Sequence, residues 1–307
     1  MVRRRPDSGW GEWVLQRKLG DVGVGAIGLG ALPMSVEGRP DRAQSVATIH
    51  AALDCGVTLI DTADCYGIGP GEVGHNERLI GEVLAARGAE ASGVVVATKG
   101  GQYRTPDGGY HANGRPEHLR LACEASLRAT GRDHIDLYQL HAVDPAVPFL
   151  DAVGALAGLQ REGKVRMVGL SNVTVPQIIE AGTVVAVVSV QNRLSPGSLA
   201  GLAELRHCAA AGIAFLPWAP LGGLRVRGTE PAGTSVFAAI GAERGWSAQR
   251  VCLAWHLALA PVTIPIPGAS RPGSIIDSAS AAASTLSGAE LARIDEALGI
   301  GAEDRPA

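Results

Sequence analysis

Four side chains that can carry acid–base chemistry lie at or near the ends of three consecutive apolar segments. Asp61 follows the first segment, with Tyr66 in the loop behind it, Lys99 follows the second, and His141 follows the third. When such segments are neighbouring parallel strands of a barrel, their carboxyl ends meet at one mouth, where barrel enzymes hold their chemistry. A carboxylate, a phenol, an ammonium and an imidazole are groups that transfer protons in enzymes. We therefore expect these four to face one site.

Each of these residues also has an ordinary structural explanation when it is taken alone. An Asp after a strand is often a turn or cap residue, a Lys is usually solvated, a single His is usually a structural residue, and a loop Tyr commonly packs against a neighbour. Their joint occurrence at equivalent positions of successive units favours a shared function.

The elements that must position them alternate regularly along the chain. Runs rich in Val, Ile and Leu predict strands at residues 13–19, 22–28, 57–60, 93–98, 135–140, 165–170, 184–190, 213–217 and 262–265. Helices are predicted at residues 41–55, 76–86, 116–130, 148–162, 176–181, 198–211, 235–259, 272–285 and 287–298. This order predicts a single α/β domain over residues 1–307: a (β/α)8 TIM barrel with an N-terminal β-hairpin and a C-terminal extra helix.

Charge and composition restrict the partners. The 27 basic and 30 acidic residues are interspersed and leave a net charge of −3, so no run of one sign suggests a nucleic-acid or anionic-membrane surface. No segment has the roughly 18 uninterrupted apolar residues of a membrane span, and Pro6 follows the basic start where a signal peptide needs an apolar stretch. We expect a cytoplasmic protein with a small-molecule partner; its oligomeric state stays open. The five scattered cysteines predict reduced thiols.

A glycine motif near the N-terminus invites a different interpretation. Gly23, Gly25 and Gly28 match G-x-G-x-x-G, the dinucleotide fingerprint, which must open a helix at the pyrophosphate. Residues 29–40 contain Gly30, Pro33, Gly38 and Pro40 and cannot form an ordinary helix. We predict a glycine-rich barrel strand here, so any nicotinamide must bind elsewhere.

Several spaced motifs resemble the aldo-keto reductases, in that family's order, from about residue 13 to 300. They are residues 56–63 (GVTLIDTA) with 66–67 (YG), 76–81 (NERLIG), 98–100 (TKG), 135–141 (IDLYQLH), 169–173 (GLSNV), 190–192 (VQN) and 220–222 (PLG). The resemblance implies an NADP-dependent oxidoreductase that reduces an aldehyde or ketone to an alcohol.

The resemblance also implies a catalytic tetrad. Tyr66 would be the general acid, Lys99 and Asp61 would tune it, and His141 would bind the substrate carbonyl. The chemistry agrees, because hydride arriving at a carbonyl carbon builds negative charge on the oxygen. A phenol has a pKa of about 10, and a neighbouring ammonium lowers that pKa. Asp61 would keep Lys99 charged.

Cofactor contacts follow from the same resemblance. Ser171, Asn172 and Gln191 would hydrogen-bond the nicotinamide carboxamide, and Trp218 would stack on the nicotinamide ring. Helix capping and turn formation are the alternative roles for Ser171 and Asn172.

The phosphates and the adenine would lie on later loops. Leu221, Gly222 and Gly223 would pass the pyrophosphate, and Gly268, Ser270 and Arg271 precede a helix whose N-terminus favours a phosphate. Asp277 would lie at the adenine. Gly268 and Ser274 stand where the family has basic residues, and Asp277 and Ser278 stand where it has a Glu-Asn pair. NADP(H) is expected through Arg271, and NAD(H) stays an alternative.

Two long loops, residues 100–115 and 222–234, are predicted to wall the mouth, the first with Tyr103, Tyr110 and His111. With the short polar tail they favour a shallow pocket for small or polar aldehydes, including sugar-like and pyridoxal-like ones. Two other functions stay open. One is a non-catalytic, nicotinamide-binding regulatory subunit, as in potassium-channel β subunits. The other is a barrel aldolase with Lys99 as a Schiff-base nucleophile, which a charged Lys99 would disfavour.

Overall fold

A computed structural model of the chain describes residues 2–3, 14–222, 235–301 and 304–305. It begins with an antiparallel sheet of three strands, β1 (Val2–Arg3), β2 (Val14–Leu19) and β3 (Val22–Gly25). Leu19 pairs with Val22 across a two-residue turn, in which Gly20 has a φ of +58°, a conformation that glycine adopts without strain. The predicted hairpin is confirmed; its predicted first residue, Trp13, lies outside the described residues.

The other strands form the wall of the barrel and one small hairpin. They are β4 (Leu29–Gly30), β5 (Leu59–Asp61), β6 (Val95–Gly100), β7 (Gln102–Arg104), β8 (Tyr110–Ala112), β9 (Ile135–Leu140), β10 (Val165–Ser171), β11 (Val187–Gln191) and β12 (Ala214–Phe215). All except β7 and β8 belong to one parallel sheet in the order β12-β11-β10-β9-β6-β5-β4. This order follows the chain, as in a barrel of successive strand–helix units.

Residues 262–269 join the two edges of this sheet. On one side Ile264 N donates to Phe215 O at 2.8 Å, and on the other Gly30 N donates to Pro267 O at 2.9 Å. Pro265 and Pro267 have no N–H, so the eighth barrel segment makes fewer ladder bonds than a regular strand. The fold is nevertheless the predicted (β/α)8 barrel.

Helices cover the outside of the wall. They are α1 (Arg42–Asp54), α2 (His75–Arg87), α3 (Pro116–Thr130), α4 (Phe149–Arg161), α5 (Val175–Gly182), α6 (Leu202–Ala211), α7 (Ser235–Arg244), α8 (Ala248–Leu259), α9 (Pro272–Ser280) and α10 (Gly288–Leu298). Asp41 caps α1 by accepting from Gln44 N at 2.8 Å. The helical stretches predicted over residues 235–259 are α7 and α8, which are separated at Gly245, where φ is +65°. The extra C-terminal helix is α10.

The hairpin of β2 and β3 closes the amino-terminal end of the barrel. Leu19 and Val24 from the hairpin are fully buried against the inner side chains of the wall, among them Leu59, Leu137 and Met167. Burying apolar area of this kind contributes roughly 25 cal/mol per Å². The polar residues at the carboxyl ends of the strands lie at the opposite end of the barrel, which the hairpin does not cover.

The glycine motif serves close packing. Gly23 and Gly25 lie in β3 of the hairpin and not in the barrel strand that we predicted here; the barrel wall begins with β4, and α1 begins only at Arg42. A β-carbon on Gly28 would lie 2.9 Å from Ile266 Cγ2, so this position accommodates the close approach of the closing segment. The rejection of a dinucleotide fingerprint is confirmed, because no α-helix follows the motif directly in the described chain.

Two expectations from composition can be compared with the structure. Within the described residues, no helix is both long and apolar enough to cross a membrane. All five cysteines are free thiols, as expected.

Candidate active site

Three neighbouring strands bring the four acid–base residues to one mouth. Asp61 is the last residue of β5, Lys99 lies near the end of β6, and His141 follows β9 directly. Parallel register between these strands, with Asp61 beside Ala97 on β6, keeps their carboxyl ends level. Tyr66 reaches the same mouth from the loop behind β5 and is only 8% exposed.

The Lys99 ammonium is fully buried and uses all three of its protons. Its Nζ donates to Asp61 Oδ1 at 2.7 Å, to the Thr62 carbonyl at 2.8 Å and to Tyr66 Oη at 2.9 Å. A buried charge persists only where it is paired and hydrogen-bonded. An ammonium held by three acceptors is a poor nucleophile, which argues against the aldolase hypothesis.

Tyr66 accepts from Lys99, and this direction decides where its own proton points. An ammonium carries only donors, so the bond of 2.9 Å must use a lone pair of the phenol oxygen. The phenol hydrogen is therefore left for another acceptor. The imidazole of His141 stands edge-on to the ring, with centroids 5.8 Å apart.

The pKa of Tyr66 differs from the expectation. We expected Lys99 to lower it, but burial raises the pKa of the Tyr66 phenol well above 10, with the Asp61 charge acting in the same direction. The expectation was wrong in its net direction. It included the effect of one ammonium, but the loss of water around a buried phenolate raises the pKa by more. The phenol consequently stays protonated at neutral pH.

Asp61 connects two strands on opposite sides of the mouth. While Oδ1 accepts from Lys99, Oδ2 accepts from Gln191 Nε2 at 2.7 Å. Both side chains of the ion pair are almost completely excluded from solvent, at 0% and 4% exposure. Its stability depends on such additional hydrogen bonds, because taking two charges out of water costs several kcal/mol per ion.

His141 is buried and neutral. Burial, and then the Lys99 charge, hold the pKa of its imidazole well below 6.5. Its Nδ1 lies 3.6 Å from Cys65 Sγ. A neutral imidazole has one N–H to donate, so the ring can offer a hydrogen bond to a substrate oxygen without carrying charge.

The three residues expected at the nicotinamide carboxamide form one hydrogen-bonded group. Ser171 Oγ donates to the Gln191 carbonyl at 2.8 Å, and Asn172 Nδ2 donates to the His141 carbonyl at 2.9 Å. Asn172 has a φ of +56°, a left-handed conformation in which Asn is enriched among non-glycine residues. Its amide group thereby braces the backbone beside the imidazole.

Trp218 stands at the rim next to this group. Its Nε1 donates to Asn172 Oδ1 at 3.0 Å, and the Arg193 guanidinium lies 5.6 Å from its ring centroid. The following residue, Ala219, has a φ of +49°, and such a conformation stores strain of order 1 kcal/mol or more. The indole is thus fixed in direction and remains partly exposed.

Of the residues expected at the phosphates, Leu221 is half-buried against the core and Gly222 N donates to Ala219 O at 2.9 Å. Gly223 and most of the predicted loop 222–234 lie outside the described residues. Ser270 and Arg271 lead into α9, and a β-carbon on Gly268 would lie 2.9 Å from Pro33 Cγ.

Asp277, expected at the adenine, is held by a structural hydrogen bond. Ser247 Oγ donates to Asp277 Oδ2 at 2.6 Å, and the same Ser247 caps α8 by accepting from Arg250 N at 2.9 Å. Asp277 therefore ties α9 to the start of α8, whether or not a ligand lies beside it.

The predicted loop 100–115 contains the hairpin of β7 and β8. Arg104, at 6% exposure, anchors it by donating to the Gly108 carbonyl at 2.8 Å and to Glu37. The Arg104 guanidinium also lies 4.5 Å from the centroid of the Tyr110 ring. The sequence predicts a loop because this segment is rich in Gly and Pro, which are uncommon in strands, but two short strands form within it.

A family model for the aldo/keto reductase family matches residues 22–298, nearly the whole chain. The chain belongs to the aldo-keto reductase family. Among relatives of known sequence, an oxidoreductase of Schizosaccharomyces pombe is 36% identical over 285 residues, covering 91% of this chain and 88% of that protein. Pyridoxine 4-dehydrogenase of Escherichia coli is 31% identical over 288 residues, covering 90% of this chain and 96% of the enzyme.

A solved structure extends the likeness to the fold. The glycerol dehydrogenase of Gluconobacter oxydans superposes with a TM-score of 0.80 at 26% identity, covering 95% of this chain and 97% of that one. The aldo-keto reductase relatives are oxidoreductases, and the family uses nicotinamide cofactors.

The residues of this aldo-keto reductase fit a nicotinamide dinucleotide. Trp218 offers a partly exposed aromatic face beside the amide group of Asn172. After the closing segment of the barrel, Arg271 is exposed, and its guanidinium makes no hydrogen bond or ion pair with a described residue. Arg271 directly precedes the N-terminus of α9, where backbone amides favour a phosphate.

Sequence reasoning missed three groups of this aldo-keto reductase site. They are the Thr62 carbonyl that accepts from Lys99, the Cys65 thiol beside His141, and Arg193 beside Trp218. Thr62 and Cys65 lie within the segment that carries Asp61 and Tyr66, but only folding decides which way each points.

Proposed function

We propose that the protein reduces a small, polar aldehyde or ketone to an alcohol with NADPH, with Tyr66 as the general acid. One observation carries the proposal: Lys99 donates to the Tyr66 oxygen at 2.9 Å, so the phenol keeps its own proton for a substrate oxygen. Proton transfer from a positioned side chain contributes typically 10²- to 10⁴-fold to a rate.

Each member of the tetrad has a separate task. The nicotinamide, when bound, supplies the hydride that reduces the carbonyl carbon. Tyr66 donates its proton to the carbonyl oxygen, where negative charge develops. Lys99, held by Asp61, stabilises the phenolate that is left. His141 donates a hydrogen bond to the same oxygen and orients the carbonyl.

The protonation state of Tyr66 supports the reductive direction. Burial raises its pKa well above 10, so the acid form needed for reduction is the form present at neutral pH. The reverse reaction needs the phenolate as a base, which the adjacent Lys99 charge favours but burial opposes.

Arg271 supports NADP(H) over NAD(H). Its guanidinium, which pairs with no described residue, lies next to a helix N-terminus, and a guanidinium binds a phosphate through paired hydrogen bonds. Gly268 and Ser274 add no charge to this region. Arg271 alone would therefore account for most of the difference in affinity between NADP(H) and NAD(H).

The rim supports a small polar substrate. Tyr110 lies close enough to Tyr66 for its charge state to act on the Tyr66 pKa, and Arg104 holds the hairpin that carries it. A hydroxylated substrate would find hydrogen-bond partners there. The names of two similar proteins, a pyridoxine and a glycerol dehydrogenase, point to the same class.

Purified protein with NADPH and a panel of aldehydes, followed by cofactor absorbance, tests this function. We expect turnover of pyridoxal and glyceraldehyde above that of an apolar aldehyde of similar size. Tyr66→Phe should lower kcat about 10²- to 10⁴-fold, while Tyr138→Phe, which removes a buried hydroxyl that donates to Leu119 O, should leave kcat unchanged.

Two outcomes would overturn the proposal. Full activity of Tyr66→Phe would show that another group donates the proton. NADPH binding without turnover of any carbonyl would identify a nicotinamide-binding regulatory protein instead. Equal rates across the panel would remove the polar-substrate assignment alone.

A further inference from the structure

Three buried side chains meet beside the tetrad. One oxygen, sulfur or ring nitrogen from each of Asp64, Cys65 and His141 lies within 4.8 Å of the others. Their residues are 4%, 3% and 8% exposed. The proposed reduction uses only His141, so the presence of the other two beside it needs an explanation.

The contact between His141 and Cys65 bears on which of the two ring nitrogens of His141 carries the proton. Nδ1 faces the Cys65 sulfur at 3.6 Å, so the other ring nitrogen, Nε2, is the one free to meet a substrate. In a neutral imidazole one nitrogen carries the proton and the other accepts. Nε2 can donate to a carbonyl oxygen only when Nδ1 is the acceptor.

Cys65 can supply the donor that Nδ1 then needs. Burial raises the pKa of its thiol well above 9, so the sulfur keeps its proton at neutral pH. A thiol is a weak donor, and the burial of Cys65, which is 3% exposed, limits competition from solvent. With the S–H directed at Nδ1, the imidazole proton must be on Nε2.

Asp64 decides whether the thiol proton is free for His141. An ionised carboxylate beside the sulfur would take that proton, whereas a protonated carboxyl can donate to the sulfur. Burial and the nearby Glu77 raise the pKa of Asp64 well above 3.8, and its Oδ1 has no hydrogen-bond partner among the described residues. Both observations favour the protonated carboxyl.

We propose that Cys65 is a positioning residue for His141: its thiol donates to Nδ1, fixes the imidazole as the Nε2–H tautomer, and is itself held by Asp64. The assignment rests on the proposed function, because that function requires His141 to donate from Nε2. The chain of groups runs from Asp64 through Cys65 and His141 to the substrate oxygen.

The same three residue types can also bind zinc, and the structure disfavours that use. A tetrahedral zinc would hold sulfur and nitrogen roughly 3.5 Å apart, close to the observed 3.6 Å. However, the Lys99 ammonium acts on all three groups, and its positive charge opposes a second cation. The thiol and carboxyl would also have to lose their protons.

Nitrogen-15 NMR of histidine-labelled protein reads the tautomer directly, without substrate. In the parent protein we expect the His141 correlation of a fixed Nε2–H ring. Cys65→Ala should change it to the averaged signal of two tautomers, while Cys65→Ser, which keeps a donor, should retain the fixed form. Cys208→Ala removes another fully buried thiol, on α6, and controls for the cavity.

Kinetics with the best aldehyde supply the second readout. Cys65→Ala should lower kcat/KM about fivefold, the size of one neutral hydrogen bond, mainly through KM, with Cys65→Ser restoring most of it. The Cys208→Ala control should leave kcat/KM unchanged.

An unchanged His141 spectrum in Cys65→Ala would overturn the assignment, as would zinc retained stoichiometrically by the parent protein after dialysis. A tautomer change in a protein that reduces no aldehyde would leave Cys65 as the positioning residue and remove the proposed function alone. The two failures are therefore distinguishable.

Discussion

At the scale of single residues, the site is organised around one buried ammonium. Lys99 links Asp61, the Thr62 carbonyl and Tyr66 through three hydrogen bonds between 2.7 and 2.9 Å. Because each acceptor comes from β5 or the segment after it while the ammonium comes from β6, the bonds also lock two strands together. Stability and the proposed catalysis therefore depend on the same group.

Replacing Lys99 by Met should separate these two contributions. The variant leaves the Asp61 carboxylate buried without its cation, so we expect it to lower the free energy of unfolding by about 3–5 kcal/mol. It also removes the charge that stabilises the Tyr66 phenolate, so kcat should fall at least about 100-fold. Urea unfolding and steady-state kinetics measure the two effects.

The double variant Lys99→Met with Asp61→Asn is the matched control. It removes both charges while the new side-chain amide can still accept from Gln191, so stability should return toward that of the parent, whereas kcat stays low. Recovery of kcat in the double variant would refute the role of Lys99.

Arg271 should determine the choice of cofactor. Arg271→Gln removes a cation placed for the 2′-phosphate, and hydrogen bonds to charged groups contribute about 1.5–3 kcal/mol. We expect the KM for NADPH to rise about 10- to 100-fold and the KM for NADH to stay the same. Arg293→Gln on α10, which removes an ion pair to Glu243, should change neither KM; equal loss with both cofactors on Arg271→Gln would contradict the assignment.

At the scale of elements, the loop that carries Tyr66 is closed on itself by one carboxylate. Glu72 accepts from Ile68 N at 2.9 Å and from both terminal nitrogens of Arg39 at 2.7 and 3.0 Å. A β-carbon on Gly67 would lie 2.7 Å from Glu72 Cβ, so the loop is also tightly packed. These contacts hold Tyr66 toward the barrel mouth.

The pKa of Glu72 gives this loop a predictable response to acid. Its hydrogen bond from Arg39 lowers the pKa of Glu72 from 4.5 to about 2. A carboxyl with a lowered folded-state pKa stabilises the fold above pH 4.5, and that stabilisation is lost as the pH falls toward 2. We expect the urea midpoint of Glu72→Gln to lie below that of the parent above pH 4.5 and to converge with it near pH 2.

The side chain of Glu72 is 33% exposed, so solvent screening keeps the difference modest. Glu117→Gln in the first turn of α3 is the control, because Glu117 pairs with no described residue. If the Glu72→Gln difference persisted at pH 2, the ionised carboxylate would not be its cause.

At the scale of the whole molecule, the barrel has two different ends and a closure that depends on glycine. The hairpin of β2 and β3 plugs one end with apolar side chains, and the tetrad occupies the other. Between them, Gly30 of β4 runs so close to the closing segment that a β-carbon would lie 2.7 Å from the Ile266 carbonyl oxygen. The gap between β4 and the closing segment is narrow because backbone atoms line both sides of it.

Gly30→Ala and Gly154→Ala should therefore have opposite effects. At Gly30 the new methyl group meets backbone, and overpacking costs typically 1–3 kcal/mol. Gly154 lies inside α4 with nothing within 4 Å of an added β-carbon, so alanine there should add up to about 1 kcal/mol. Chemical unfolding of both variants measures the signs; destabilisation by Gly154→Ala or tolerance of Gly30→Ala would contradict this account of the closure.

The sequence by itself determined the barrel and the four residues that the fold brings together. Strand–helix alternation depends on local hydrophobic periodicity, and parallel strands place their ends at one mouth, so Asp61, Lys99 and His141 had to meet once the strands were recognised. The features that the sequence does not predict are also local: Pro265 and Pro267 interrupt the hydrogen-bond ladder of the closing segment, and β7 and β8 form a short hairpin where the sequence predicts a loop.

Only the tertiary structure decided how the groups at the mouth are connected and ionised. The Thr62 carbonyl on Lys99, Gln191 on Asp61 and Cys65 on His141 are contacts that depend on side-chain direction, which spacing along the chain does not specify. The raised pKa of Tyr66 depends on the extent of its burial. Desolvation is a property of all surrounding atoms, so no single neighbour in the sequence could predict its size.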